Sequence, residues 1–187
     1  MLERFLRQTE FNSIEDFESN FEFIVPERFN FAFDVVDQWA EEQPNKLAML
    51  WTNDRGDERR FSFADMKRMS DNVAAYFLRK GMGRGDMVML ILKRRFQFWP
   101  VILALHKIGA VVIPATYLLM QHDIEYRCRQ ANIKAIVACG DEDILRHVDE
   151  AYPQCPSVEH RISIGPLKLG MLKPGRWRDL TADELKA

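Results

Sequence analysis

Lys93-Arg94-Arg95 is the run of three consecutive cations in this sequence, set between the apolar stretch Met87–Leu92 and Pro100. An unbroken apolar run of that length reads as a parallel strand covered on both faces, and a proline so placed is tolerated near a helix start. The three cations therefore fall at the carboxyl end of a predicted strand, where ligands of open α/β sheets bind. Their chemistry suits an anionic group such as a phosphate. The simpler alternative is a solvated loop whose charges limit aggregation, and that is the stronger expectation.

Other reactive residue types have bland explanations. Gly81-Met82-Gly83-Arg84-Gly85 looks like a dinucleotide loop, but it closes a predicted helix and opens a strand, the reverse of a phosphate-cradling order. It is expected to be a connector turn. His106, His122, His147 and His160 show no metal spacing and no serine or cysteine partner in sequence, so neither a catalytic histidine nor a metal site is expected. Asp141, Glu142 and Asp143 follow Gly140 like a cation cluster, yet capping and the positive end of a helix dipole account for them more simply. Cys128, Cys139 and Cys155 are odd in number and form no C-x-x-C pair, which predicts small buried apolar residues.

The elements that must position these residues follow from periodicity. A strand over 87–92, a helix from about Gln97 to Gly109 and a strand over 111–113 form one right-handed crossover unit, with Gly109 free to close the helix. Before it come an amphipathic helix over 14–23, a helix over 31–43 with Phe29, Phe33, Val36 and Ala40 on one face, and a hairpin from strands 46–52 and 59–62. A capped helix over 63–80 follows, where Met66, Met69, Val73 and Phe77 recur at helical spacing. After the unit come a helix over 123–131, a strand over 135–138, a helix over 142–152 and a strand over 161–164. Strands alternating with helices predict an α/β fold, with a partly parallel sheet flanked by helices and added N-terminal helices. The expected division is a helical extension over 1–28, the α/β unit over 29–164 and an irregular tail over 165–187, broken by Gly165, Pro166, Gly170, Pro174 and Gly175.

Composition excludes several classes. A formal charge of -2 with 29% charged and 47% hydrophobic residues is that of a globular domain with no basic excess for nucleic acid. The apolar runs fall short of a membrane span and Met1–Arg7 lacks a signal-peptide core, so a cytoplasmic location is expected. The predicted helix over 97–108 is apolar almost all round, which implies an exposed apolar patch or a homo-oligomer that covers one.

Gly-Asp at 85–86, the apolar strand, the aromatic-rich helix and Gly109-Ala110-Val111 with Pro114 occur in the order found in the N-terminal subdomain of AMP-forming acyl-CoA synthetases. Phe29-Asn30-Phe31-Ala32-Phe33-Asp34-Val35-Val36-Asp37 resembles the leading helix of the acetyl- to medium-chain branch, and Ile124-Glu125-Tyr126-Arg127 before Ala135–Ala138 continues the likeness. The resemblance implies a parent enzyme that uses ATP, magnesium and CoA to convert a small carboxylic acid into its acyl-CoA through an acyl-adenylate. It gives Lys93, Arg94 and Arg95 a CoA-facing reading, although family members commonly carry less charge there. It also lets Phe29, Phe31 and Phe33 line an acyl pocket, with core packing the stronger expectation. The loop rich in Ser, Thr and Gly that holds ATP phosphates lies downstream in the family and is not among these 187 residues. The expectation is therefore a fragment, inactive alone, with no cofactor of its own and the remainder of the synthetase as its partner. A stand-alone interaction module and an unrelated nucleotide-binding α/β domain are the alternatives.

Overall fold

A computed structural model describes residues 2–165. The expected tail over 165–187 lies, from residue 166 onward, outside the described residues. The chain opens with an arm: a 3-10 turn at Leu2–Arg4, helix α1 (Ile14–Asn20) and an isolated antiparallel bridge between Leu6 and Phe23. Ser13 caps α1 by accepting the Asp16 N–H at 3.1 Å. Among the described residues, none before Ala32 is buried. The arm's aromatic rings pack mainly on one another, with centroids 5.0 Å apart for Phe11 and Phe17 and 4.7 Å for Phe17 and Phe21.

The helix expected over 31–43 is present with a different winding. Ala32–Asp37 is a π-helical segment and Gln38–Glu42 continues as α2. The wider π turn sends Ala32, Val36 and Asp37 inward, so Phe33 loses its expected place on the buried face. Core packing of the three phenylalanines is thereby corrected: Phe29, Phe31 and Phe33 remain 44%, 48% and 49% exposed. Phe29 meets Phe5 edge-on at 5.6 Å, and Phe33 lies under the Lys107 ammonium at 5.6 Å.

Strands β1 (Leu47–Thr52) and β2 (Glu58–Ser62) pair antiparallel as expected. Asn53 organises their turn, its carboxamide oxygen accepting the Arg55 and Asp57 N–H groups at 2.9 and 3.0 Å. Helix α3 (Phe63–Arg79) begins on a capping box in which Ser62 Oγ accepts the Asp65 N–H at 3.1 Å and the Asp65 carboxylate accepts the Ser62 N–H at 3.0 Å. Ala32, Val36, Met66 and Leu103 form a small core beneath this hairpin.

The main sheet follows: β3 (Met87–Ile91), α4 (Phe98–Lys107), β4 (Val111–Pro114), α5 (Gln121–Ala131), β5 (Ala135–Cys139), α6 (Glu142–Ala151) and β6 (His160–Ile164). Its four strands are parallel in the order β4-β3-β5-β6. Right-handed crossovers put α4 on one face and α5 and α6 on the other. Val88–Ile91 and all of β5 are buried, which is why these strands read as continuous apolar runs. On α4 the residues Val101, Leu103, Ala104 and Leu105 are buried, while Trp99 stays 53% exposed. Cys128, Cys139 and Cys155 are free and buried. No helix among the described residues is long and apolar enough to cross a membrane.

Candidate functional site

The strand order reverses between β3 and β5: the chain leaves β3 toward β4 and leaves β5 toward β6. In an open parallel sheet the crevice at such a reversal, outside the carboxyl ends of the strands, is where ligands bind. Register pairs Ile91 with Ala138, so the residues just beyond β3 stand beside those just beyond β5. Lys93 and Arg95 lie on one side of this crevice and Asp141 on the other, and the three close it as one ionic bridge.

Lys93 Nζ donates to Asp141 Oδ2, and Arg95 donates to Asp141 Oδ1 at 3.1 Å. Burial pushes the Asp141 carboxyl up, but the hydrogen bonds from Lys93 and Arg95 outweigh it and hold the group below the usual carboxylate range. The same hydrogen bond raises the Lys93 ammonium above its ordinary value. Lys93 adopts φ +50, a left-handed conformation that turns the chain sharply out of the strand. Its ammonium also faces the Tyr117 ring at 4.9 Å. Arg94 is exposed and makes no ion pair among the described residues, while its carbonyl accepts the Trp51 indole N–H at 2.7 Å.

Asp141 is thus a correction to the sequence reading. It sits at the N-cap of α6, yet its side chain makes no capping hydrogen bond, because Lys93 and Arg95 take both carboxylate oxygens. Glu142 and Asp143 do occupy the first turn of α6, where the dipole favours them. The signal for the bridge was in the sequence: opposite charges at matched offsets beyond two apolar runs. Recognising it required knowing that those two strands are neighbours.

Beside the bridge lies a groove of about 530 Å³ between the hairpin and the loop after β3, lined by Trp51, Phe96, Gln97 and Gly165 with two carboxylates, Asp57 and Glu58, and two guanidinium groups, Arg59 and Arg95. Its floor is fixed by ring packing, with Phe96 5.0 Å from Phe61 and 5.8 Å from Trp51. The Arg59 guanidinium lies over Phe96 at 5.0 Å.

A second ionic cluster went unseen in the sequence. The Lys107 side chain, 4% exposed, reaches Asp37 at 2.8 Å and Asp71 at 2.5 Å, and Lys67 contacts the same two carboxylates at 3.5 and 2.9 Å. It clamps the π-helical segment to α3 and α4, far from the carboxyl edge in role. The expected connector turn is held similarly, with Asp86 accepting the Gly83 N–H at 2.8 Å and Lys134 Nζ at 2.9 Å. His106 is the histidine whose Nδ1 is buried without a partner among the described residues, and burial lowers its pKa.

A parallel α/β sheet with helices on both faces and a charged switch-point crevice defines an open α/β domain of the kind that adenylate-forming ligases use. A sequence profile of the AMP-binding enzyme family matches residues 36–183, and the chain belongs to that family. The matched region corresponds to the N-terminal part of its acyl-coenzyme A synthetase members. Acyl-coenzyme A synthetase ACSM4, mitochondrial, of Mus musculus is 35% identical over 162 residues, covering 82% of this chain and 28% of that protein. Acyl-coenzyme A synthetase ACSM1, mitochondrial, of Homo sapiens is 36% identical over 147 residues, covering 75% of this chain and 25% of that protein. The crystal structure of the anthranilate CoA ligase AuaEII in complex with anthranoyl-AMP matches with a TM-score of 0.66 at 21% identity, over 75% of this chain and 26% of that one. This last is a likeness of fold. The chain spans about a quarter of the length of these relatives, and family membership removes the unrelated nucleotide-binding domain as an alternative.

Proposed function

We propose that the chain is the N-terminal subdomain of an ATP-dependent, AMP-forming acyl-coenzyme A synthetase. In the whole protein a carboxylic acid would react with ATP to give an acyl-adenylate and pyrophosphate, and the CoA thiol would then take the acyl group and release AMP. The observation that carries this reading is the 35% identity to an acyl-coenzyme A synthetase over 82% of the chain. Among the described residues no group of three His, Cys, Asp or Glu side chains could hold a metal ion, so no residue here is assigned to magnesium. Nor is any given a catalytic role.

Within this reading residues 1–28 form an extension, 29–164 the α/β subdomain and 165–187 the lead into the rest of the synthetase. Lys93, Arg94 and Arg95 face an anion such as a CoA phosphate, with Arg94 the cation left for it because Asp141 holds the other two. In this reading the chain supplies part of the scaffold, and acid activation belongs to the whole synthetase. Exchange of labelled pyrophosphate into ATP, measured on the purified 187-residue chain with a panel of short- and medium-chain acids, tests this directly. No acid-dependent exchange is expected, and clear exchange would overturn the assignment. A cytoplasmic location is the reading from the sequence, whereas the relatives carry a mitochondrial designation. Fractionation of cells expressing the tagged protein tests it, and recovery with mitochondria refutes it.

A further inference from the structure

Cys128 and Cys155 come from different elements and meet in the core. Cys128 lies on the buried face of α5 with Ile124, and Cys155 follows a 3-10 turn at Tyr152–Gln154 in the connection from α6 to β6. Hydrogen bonds stitch the two segments together: the Cys128 carbonyl accepts the Ile133 N–H at 3.2 Å, and the Ile133 carbonyl accepts Ser157 Oγ at 2.9 Å. One residue further on, the Lys134 carbonyl accepts the Glu159 N–H at 2.8 Å. Cys155 lies in the field of Glu125 and Arg129, which flank Cys128 on α5, and the two thiols hydrogen-bond to each other. They are 0% and 1% exposed. Cys139, at the end of β5, instead has Asp141, Arg95 and Lys93 around it.

Burial pushes both thiols above the ordinary cysteine value, which keeps them protonated and slow to react at rest. The hydrogen bond between them divides the pair. It pushes Cys128 further up and pulls Cys155 back, so Cys155 is the sulfur that ionises first. Cys155 also lies outside regular structure, between the 3-10 turn and β6, where local opening costs less than in a strand or helix.

We propose that Cys128 and Cys155 are the two halves of a disulfide that hydrogen peroxide forms and a dithiol reverses, stapling α5 to the connection before β6. In the first step the Cys155 thiolate attacks one peroxide oxygen, the O–O bond breaks, and the departing hydroxide takes up the Cys155 proton as water. Sulfur is thereby oxidised by two electrons to a sulfenic acid. The Cys128 sulfur then attacks that sulfur, the S–S bond forms, the S–O bond breaks, and the oxygen leaves as a second water with the Cys128 proton. Two thiols and one peroxide give one disulfide and two waters. The closed link constrains the chain from 128 to 155, which carries β5 and α6. This goes beyond the acyl-activation reading and is read out without any activity measurement.

The reduced, folded 187-residue chain is treated with equimolar hydrogen peroxide, alkylated under denaturing conditions and mapped by mass spectrometry. The expected product has lost two hydrogens, contains a peptide pair joining Cys128 to Cys155, and leaves Cys139 fully alkylated. Its thermal midpoint is expected to rise by about 5–10 °C, and dithiothreitol is expected to reverse both changes. In Cys128→Ala the reaction is expected to stop at a Cys155 sulfenic acid that dimedone traps, whereas Cys139→Ala should form the bridge as wild type does. The wild-type map decides the matter even if Cys128→Ala does not fold. Full alkylation of all three cysteines after peroxide overturns the proposal. So does a bridge that involves Cys139 or joins two copies, or a bridged chain whose midpoint falls.

Discussion

Lys107→Met is the substitution whose cost follows most directly from the structure. The Lys107 side chain is 4% exposed, and its ammonium lies between the Asp37 side chain, 8% exposed, and that of Asp71, 43% exposed. Removing one partner of a buried ion pair costs about 3–5 kcal/mol, because the other charge is left desolvated. Two features reduce that here. Lys67 still reaches Asp37 at 3.5 Å, and Asp71 keeps access to water. Methionine preserves the packing of the aliphatic stem. The expected loss is therefore about 2–3 kcal/mol, or about 5–10 °C in thermal midpoint for a domain of this size. Urea unfolding followed by tryptophan fluorescence measures it, with an unchanged m-value as the control for a two-state comparison. Asp37→Asn alone should also destabilise, and the double variant should cost less than the sum of the singles by about 1–2 kcal/mol, since the groups interact directly. A Lys107→Met loss below about 0.5 kcal/mol, or strict additivity in the cycle, would refute the reasoning that this clamp fixes the π-helical segment to α3 and α4.

Asp141→Asn should cost about 1 kcal/mol, as expected for a partly exposed ion pair. Because the folded Asp141 pKa is depressed, its contribution is complete above the unfolded carboxyl value and disappears as pH falls through the folded value, so the wild-type advantage over the variant should vanish in strong acid. Gly109→Ala should lower stability by about 1–2 kcal/mol, because the residue closes α4 at φ +71 and a Cβ there would approach Arg84 Cγ to 3.3 Å. Ser62→Ala removes the cap of α3 and should cost about 1 kcal/mol, measurable in the same urea titration.

Much of the sheet was legible because parallel strands buried on both faces announce themselves. Met87–Ile91 and Ala135–Cys139 are uninterrupted apolar runs bounded by Gly-Asp on one side and Gly140 on the other. The hairpin, the capped start of α3 and the glycine at the end of α4 rest on local rules, and the structure obeys them. What escaped was non-local or depended on helix pitch. The pattern Phe29, Phe33, Val36, Ala40 assumes 3.6 residues per turn, and a π-helical Ala32–Asp37 rotates Phe33 outward and Asp37 inward. That rotation also explains why the Lys107 clamp was missed: an aspartate on the outer face of an α-helix has no reason to meet a lysine seventy residues later. Asp141 looked like an ordinary cap because position in a helix is local, whereas its real partners lie across the switch point on another loop.

The central proposal is that this chain is the N-terminal part of an acyl-activating enzyme, and residues 36–183 are those that match the AMP-binding enzyme family. The most direct measurement is a graft: these residues replace the corresponding segment of the mouse ACSM4 synthetase, and acid-dependent pyrophosphate exchange is compared with the parent. The account predicts exchange within about tenfold of the parent, a barrier change of ~1.4 kcal/mol or less. A graft that folds with a cooperative thermal transition and yet gives no acid-dependent exchange would contradict it.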